Sequence, residues 1–288
     1  MSGMISFIKR QFVTILLIVL LLSGLSLILY PTFSDIWNSY HQSEAIASYK
    51  RDVEIINQQE KDKQLSEAEL YNKQLPIGVN PHLNLTKDEE ERYNTTLDIT
   101  GTGIMAYVEI PKLNTKLPIY HGTDEAVLEI AIGHIAGTSL PIGGVGTHSV
   151  ISGHRGLPSA KLFTNLNELE NGDTFMIHIL DKTLIYEVDQ SLTVLPEDLS
   201  ALQIDSQKDY CTLVTCTPYG VNTHRLLVRG HRVFKEGLSE SKDSVADSSF
   251  IRISLTIMLI IFAFALIFIF FRKKKYQQTY RRSKRGRR

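Results

Sequence analysis

The sequence predicts an all-β domain, either a closed barrel or a sandwich, in the middle of the 288-residue chain. From Gly103 to Val233, short runs rich in Val, Ile, Leu and Tyr alternate with Gly, Pro and Asn, which is typical of many short strands joined by turns. About 130 residues are enough to bury one hydrophobic core. The expected strands are 106–110, 149–152, 174–179, 184–188, 212–215 and 225–229.

Two uncharged apolar runs flank this domain and predict transmembrane helices at 12–30 and 253–271. Each has 19 residues, about enough to cross roughly 30 Å of hydrocarbon as a helix. The first run could instead be a signal peptide, because Lys9 and Arg10 precede it. However, it is long for a signal, and no small-x-small cleavage site follows Tyr30, so we expect an uncleaved anchor.

The positive charges predict the orientation of the chain. Ten of residues 272–288 are Lys or Arg, and Lys9 and Arg10 precede the first apolar run. Basic segments beside membrane helices remain in the cytoplasm, so both termini are expected there. Residues 31–250 hold 18 Lys+Arg against 31 Asp+Glu, a net charge of −13, and are expected outside the cell. The tail could also bind anionic lipid headgroups.

The segment between the first apolar run and the barrel is expected to be helical. Ile46, Tyr49, Val53 and Ile56 recur at three- and four-residue spacing in the polar stretch 34–63, which predicts an amphipathic helix.

Two further helices are indicated by capping patterns. Ser66 and Glu69 resemble a capping box that opens a second helix ending before Pro76. Thr86 is expected to cap a third helix that begins with the acidic run 88–91.

The two cysteines are predicted to be free thiols. Cys211 and Cys216 lie in one expected strand, in which five residues span roughly 16 Å and place the side chains on opposite faces. A disulfide needs Cα atoms within about 7 Å, so the pair cannot form one without breaking the strand.

A free cysteine can be a buried hydrophobe, a metal ligand or a nucleophile. A core position suits Cys211. Cys216 ends an apolar strand, and the turn 217–220 follows it, so its side chain can face a cleft. We therefore select Cys216 as the candidate nucleophile.

Cysteine chemistry needs a base or acid partner, and His154 is the best candidate. The glycines Gly153 and Gly156 around it permit close approach of backbone and substrate. The other histidines of the domain are interpreted as turn or surface residues: His121, His134, His148, His178, His224 and His231. A zinc site is the weaker alternative, because no i,i+4 His pair or Cys-x-x-Cys spacing is present.

Arg225 is the candidate for stabilising an oxyanion. It begins the strand after the Cys216 loop, nine residues on, and can therefore lie beside Cys216 on an antiparallel neighbour. Its guanidinium is charged at any working pH. Taken alone, it could equally be a solvated or ion-paired arginine.

The order His, Cys, Arg and the motifs around them resemble sortases. The resemblance rests on three segments: Thr212-Leu-Val-Thr-Cys216, Ser152-Gly-His154 and the Arg225 strand. Three longer stretches are most similar to the pilus-assembling, class C members: 133–144, 153–163 and 216–225. Papain-like proteases have the opposite order of Cys and His, and the caspase signature is absent.

This resemblance implies an eight-stranded β-barrel and a cysteine transpeptidase. The implied substrate is a Leu-Pro-x-Thr-Gly sorting signal cleaved between Thr and Gly. Cys216 would form a thioacyl enzyme, His154 would act as general acid and base, and Arg225 would hold the oxyanion and the substrate. A lysine amine of another pilin would then resolve the intermediate.

Pilus sortases usually carry a lid with an Asp-Pro-aromatic motif before the barrel. The nearest match is Asn80-Pro81-His82, which lacks both the acid and the large aromatic ring. We therefore expect residues 76–100 to form a loose lid or none.

Two other functions are alternatives to pilin polymerisation: the same chemistry used to anchor surface proteins to peptidoglycan, and non-catalytic binding of pilins at the membrane. The expected partners are proteins bearing sorting signals, a lysine acceptor and the membrane, without cofactor, metal or nucleic acid.

The expected division of the chain is a cytoplasmic N-terminus (1–11), a transmembrane helix (12–30), an extracellular helical and lid-like region (31–102), the catalytic β-barrel (103–234), a linker (235–252), a second transmembrane helix (253–271) and a basic cytoplasmic tail (272–288).

Overall fold

The computed structural model describes residues 2–234, with the side chains of 2–11 and 13–15 left aside. Its helices are α1 (Ser2–Ile55), α2 (Gln58–Gln74), α3 (Lys87–Thr95) and α4 (Glu125–Leu128). Its strands are β1 (Ile104–Ile110), β2 (Thr115–His121), β3 (Ile132–His134), β4 (Thr147–Ser152), β5 (Thr174–Ile179), β6 (Lys182–Val194), β7 (Asp209–Thr217) and β8 (His224–Val233). Single 3₁₀ turns occur at Pro111–Leu113, Leu166–Glu168 and Ser200–Leu202.

The eight strands form one closed barrel in the order β1-β2-β3-β4-β7-β8-β6-β5. The pairs β2–β3 and β4–β7 are parallel, and the other neighbours are antiparallel. Closure leaves no open sheet edge, which removes the exposed backbone groups that promote aggregation. The predicted eight-stranded all-β barrel is confirmed.

The barrel interior is packed with apolar and aromatic side chains. Phe175 and Tyr186 stack with ring centroids 5.5 Å apart. Gly230 faces these rings, and a Cβ on it would come within 2.8 Å of Phe175. Cys211 pairs with Gly230 in the ladder and is fully buried. A residue with a side chain at Gly230 would therefore displace the aromatic pair.

Six strands lie where the sequence predicts them, whereas β2 and β3 were not predicted. Strand β2 contains two polar or charged residues at its start and a proline within it, so it lacks the apolar texture used to identify strands. Strand β3 has only three residues, two of which are Gly133 and His134. Both owe their strand conformation to pairing with neighbours rather than to local propensity.

Helix α1 contacts the barrel through the predicted apolar stripe. Ile46, Tyr49 and Val53 are buried and pack with Ile104 and Tyr107 of β1. The amphipathic prediction is therefore confirmed in this region, although α1 ends at Ile55 rather than near residue 63.

Helices α2 and α3 start with side-chain caps. Asn57 caps α2 by accepting a hydrogen bond from the Glu60 N–H. The prediction that Ser66 opens this helix is wrong, because Ser66 lies inside α2 and its hydroxyl donates to the Asp62 carbonyl. Thr86 caps α3 in a capping box with Glu89, as predicted.

The first apolar run lies within α1. Among the described residues, α1 alone is long and apolar enough to cross a membrane, judged by length and composition. The second predicted span, 253–271, lies outside the described residues, as do the linker and the basic tail.

Tyr49→Phe should lower the free energy of unfolding by about 1–3 kcal/mol, because two buried backbone groups lose their partner. The Tyr49 hydroxyl donates to the Met105 carbonyl at 3.0 Å and accepts from the Leu180 N–H at 2.8 Å. Tyr40→Phe, at an exposed position on the same helix, is the control and should change stability by less than about 0.5 kcal/mol. Denaturant unfolding of the full chain in detergent measures both; equal effects would contradict this anchoring role.

Candidate active site

Strand β7 presents Cys216 at its carboxyl end. Side chains alternate along the strand, so Cys211 and Leu213 point into the barrel while Val214 and Cys216 point outward. Cys216 is half-buried, and both cysteines are free thiols as predicted. The outward position leaves the Cys216 sulfur accessible from the surface of the barrel.

Arg225 lies directly opposite Cys216, as the spacing predicts. Strands β7 and β8 are antiparallel, and Cys216 and Arg225 are Cα partners in their register. The guanidinium is half-buried, and its Nη1 donates to the carbonyls of His224 at 3.1 Å and Asn222 at 3.2 Å. These bonds restrain the guanidinium and leave its other N–H donors for a ligand.

The backbone of β4 brings His154 to the same end of the barrel. Strand β4 runs parallel to β7 with Ser152 opposite Val214. The pairing continues past the strand, because the Gly153 N–H donates to the Val214 carbonyl at 3.0 Å and the Thr215 hydroxyl donates to the Gly153 carbonyl at 2.7 Å. The next residue on each chain is His154 on one side and Cys216 on the other.

Gly153 is required for this approach. A Cβ at this position would come within 2.7 Å of both Ile132 and Phe163. The glycines around His154 are predicted from the sequence to permit close approach, and for Gly153 the closely approaching groups are these two side chains.

Arg155 joins the His154 loop to the end of β7, a link that was not predicted from the sequence. Its Nη1 donates to the Thr217 hydroxyl at 3.1 Å, and its Nη2 donates to Asn167 at 2.7 Å. Thr217 follows Cys216, and Arg155 follows His154, so one guanidinium ties the two candidate residues together through their neighbours.

Gly156, the next residue, lies against the ring of Tyr219 in the turn after β7. A Cβ at Gly156 would come within 2.8 Å of that ring, and its φ of +78° is in the left-handed region that favours glycine. The second predicted glycine therefore also permits a close approach, here between the His154 loop and the turn that follows Cys216.

An apolar patch extends from Cys216 along the outer face of the barrel. Val150, Val214 and Leu227 lie on three adjacent strands, and Leu202 from the β6–β7 connection covers them. All four side chains are buried, so the patch holds the β6–β7 connection against the outer face of the barrel beside the site.

His148 holds the β6–β7 connection on this patch. Its Nδ1 donates to the Gln203 carbonyl at 2.9 Å, and its Nε2 then accepts from the Thr212 hydroxyl at 2.7 Å. Burial is the main cause that lowers the pKa of His148 to about 4, and the Arg229 charge acts in the same direction. The ring is therefore neutral near pH 7.

The sequence interpretation of the other histidines is wrong for three of them. His134, His148 and His178 are buried within strands rather than in turns or on the surface. Burial of these rings is tolerated because their nitrogens form hydrogen bonds. For example, His134 Nε2 lies 2.8 Å from the Ser139 carbonyl oxygen. His121, His224 and His231 are half-buried. Within residues 2–234, no group of three or more His, Cys, Asp or Glu side chains is arranged to hold a metal ion.

The lid-like segment is attached to the barrel away from Cys216. Asn80 accepts a hydrogen bond from Gln203 at 2.9 Å, and Pro81 lines a small cleft with His148. The His82 carbonyl lies against Gly137. Among the described residues, none of the hydrogen bonds of this motif reaches the three candidate catalytic residues.

The region 76–100 also contributes to the core. Tyr93 and Leu97 are almost fully buried. The Tyr93 hydroxyl donates to the His134 carbonyl at 2.9 Å and accepts from the Gly122 N–H at 2.9 Å. Deleting the whole region would therefore damage the fold, and the loose-lid prediction is better addressed by substitutions at Asn80 and His82.

The assembled site has the components of acyl transfer. Cys216 supplies an accessible thiol at the end of β7. His154 follows the parallel strand β4 at the same level, and Arg225 supplies a cation on the antiparallel strand β8. A thiol can attack a carbonyl, an imidazole can move protons, and a guanidinium can bind the oxyanion that forms.

Comparison with known proteins shows similarity to one family. A family model described as the sortase domain matches residues 108–233. The crystal structure of sortase C1 from Streptococcus agalactiae is 52% identical, with a TM-score of 0.65 over 67% of this chain and 100% of that one. Sortase C of Streptococcus pneumoniae is 39% identical, with a TM-score of 0.60 over 67% of this chain and 97% of that one.

Sortase D of Bacillus subtilis is also similar, 33% identical over 129 residues, which is 44% of this chain and 62% of that protein. The chain spans less than two thirds of the length of the curated relatives that it matches, 62% and 42%.

Lowering the pH should destabilise the fold through His148. The unfolded pKa of 6.5 exceeds the folded value of about 4, so the unfolded chain binds more protons between them. Stability is therefore lost as the pH falls from about 6.5 to about 4, by about 3 kcal/mol for this residue.

His148→Asn keeps a donor for the Gln203 carbonyl but cannot titrate. The variant should therefore show a weaker dependence of the unfolding free energy on pH. His134, whose pKa burial lowers to about 3, supplies a slope of the same sign that remains. Unfolding free energies measured between about pH 7 and about pH 4 test the assignment. If the unfolding free energy of the variant depends on pH as strongly as that of the wild type, His148 does not contribute to this dependence.

Proposed function

The chain belongs to the sortase family, and we propose that it is a membrane-anchored cysteine transpeptidase that joins pilin subunits outside the cell. The observation that carries the proposal is that the His154 motif meets the Cys216–Arg225 hairpin, far from it in sequence, at one end of the barrel. Cys216 and Arg225 are ladder partners, and Gly153 pairs with β7 immediately before His154. Each of the three residues has the side chain that its role requires.

In the proposed reaction, the Cys216 thiolate attacks the carbonyl carbon of Thr in a Leu-Pro-x-Thr-Gly signal. A carbon–sulfur bond forms, and the negative charge on the carbonyl oxygen is stabilised by the Arg225 guanidinium. The Thr–Gly carbon–nitrogen bond then breaks, and His154 gives its proton to the leaving amine. The product of this half-reaction is a thioacyl enzyme.

The second half-reaction forms an amide. A lysine amine of another pilin attacks the thioacyl carbon and loses a proton to His154, and the Cys216 thiolate leaves. A pilin substrate is supported by the likeness to the sortase of Streptococcus pneumoniae, which has pilin substrates. Membrane attachment is supported by the apolar part of α1.

Cys216→Ala should abolish turnover while sparing substrate binding, because it removes only the sulfur and leaves Arg225 in place. Peptide cleavage followed by mass spectrometry, with binding measured by fluorescence anisotropy, separates the two effects. Retained product formation would refute Cys216 as the nucleophile.

Arg225→Lys should reduce kcat/KM roughly 10²- to 10³-fold, the range for losing one oxyanion donor. A compact ammonium cannot reproduce the planar fork of donors. Arg229→Lys is the matched control on the same strand, because Arg229 pairs with Asp189 at 2.9 Å instead of facing Cys216. Equal losses in both variants would contradict a specific role for Arg225.

Cross-linking distinguishes pilin polymerisation from wall anchoring. The full chain, in detergent or vesicles, is incubated with a pilin that carries its sorting signal, and the products are analysed by mass spectrometry. An isopeptide bond between the Thr of the signal and a pilin lysine is expected. Transfer only to cell-wall amines or to water would overturn the polymerase assignment.

A further inference from the structure

Helix α1 is one continuous helix that links its apolar run to the barrel. It extends from Ser2 to Ile55, with Pro31 inside it. No charged residue occurs between Arg10 and Asp35. The 24 uncharged residues 11–34 measure about 36 Å at about 1.5 Å per residue, against a hydrocarbon thickness of about 30 Å. The outer hydrocarbon boundary therefore lies between Tyr30, where the apolar run ends, and Ser34.

The barrel contacts α1 from the first residue beyond this boundary. Asp35 accepts from the Lys161 N–H at 2.9 Å, and its carboxylate lies 3.5 Å from the Lys161 Nζ. Asn38 donates to the Ser159 carbonyl at 2.8 Å, and Gln42 donates to the Ile130 carbonyl at 2.6 Å.

These docking residues belong to one face of α1. Asp35, Asn38 and Gln42 are followed at the same three- and four-residue spacing by the buried stripe that begins at Ile46. Docked along this whole face, α1 cannot swing independently of the barrel.

The loop that carries His154 is consequently the part of the barrel closest to the apolar run. Ser159 and Lys161 follow His154 by five and seven residues in the same loop. They are level with Asn38 and Asp35, which lie about 6 Å and about 1.5 Å beyond Ser34 along the helix axis. The loop is thus within about two helical turns of the boundary.

The opposite face of α1 carries exposed aromatic side chains at this height. Trp37 and Tyr40 are 67% and 60% exposed, and Tyr30, two turns earlier on the same face as Trp37, is 56% exposed. Within residues 2–234, the ring contacts of Trp37 and Tyr40 are with His41 of α1 itself, at centroid distances of 4.7 and 5.6 Å. Trp and Tyr are enriched at membrane–water interfaces, where an apolar ring body and a polar atom are both satisfied.

We propose that Tyr30, Trp37 and Tyr40 form an aromatic collar that binds the headgroup region of the bilayer that α1 spans, and that the docked helix thereby holds the His154 loop at the membrane surface. The occupant is a lipid surface, because the collar is continuous with the apolar run along one rigid helix. The placement does not depend on the catalytic chemistry, and Cys216→Ala protein should show the same placement.

The chain contains its own probe of this placement, because Trp37 is its one tryptophan. The full chain is reconstituted in phosphatidylcholine vesicles that contain lipids brominated at a shallow or a deep position of the acyl chain. Emission of Trp37 should be quenched more by the shallow bromine than by the deep one, and it should be partly protected from acrylamide in the water.

Two variants extend the measurement along the molecule. Trp37→Phe with Glu44→Trp moves the probe two turns outward on the same exposed face, and this tryptophan should escape both brominated lipids. Trp37→Phe with Lys161→Trp places the probe on the His154 loop and should give quenching by the shallow bromine. It keeps the backbone hydrogen bond to Asp35 and loses an exposed ion pair, worth at most about 1 kcal/mol.

Three results would overturn the proposal. Free access of acrylamide to Trp37 without bromine quenching would place the collar in water. Protection from both quenchers would mean that a protein covers it. Quenching of Trp37 together with a fully water-exposed tryptophan at position 161 would show that the helix inserts while the His154 loop stays away from the membrane.

Discussion

The pairing of strand β7 with a parallel neighbour on one side and an antiparallel neighbour on the other is the constraint on which the site depends. The antiparallel register places Arg225 opposite Cys216, and the parallel register brings the end of β4 to the same level. Main-chain hydrogen bonds thereby bring His154, from a distant part of the sequence, to the hairpin that carries Cys216 and Arg225. A shift of one residue in either pairing would turn Cys216 into the barrel or move its partners away.

Local features of the site were predictable from the sequence because they depend on short spacings. Nine residues separate Cys216 from Arg225, which is enough for two strand ends and a tight turn, and the structure forms that hairpin. The opposite orientations of Cys211 and Cys216 follow from strand alternation. The α1 stripe and the Thr86 cap are also local patterns, and both are present.

Features that depend on tertiary contacts were not predictable in the same way. Ser66 is a separate, local case: it has the pattern of a helix cap, but Asn57 caps the helix earlier, so the Ser66 hydroxyl donates to a carbonyl within the helix. His134 and His148 are polar by composition, yet they are buried because carbonyls and hydroxyls of distant segments satisfy their nitrogens. The bridge from Arg155 to Thr217 and Asn167 likewise exists only once the barrel has closed.

The placement of the two cysteines has a consequence for chemical targeting. Cys211 is enclosed among the interior side chains, and burial raises the pKa of its thiol well above the usual value. Cys216 has an accessible side chain on the outer face. A mild alkylating reagent should therefore modify the native chain at Cys216. The amount of label per molecule then measures the fraction of molecules in a preparation whose Cys216 thiol is intact. The same difference favours covalent inhibitors of Cys216. Because Cys211 is buried, an electrophile meets no second accessible thiol on the chain that would consume it.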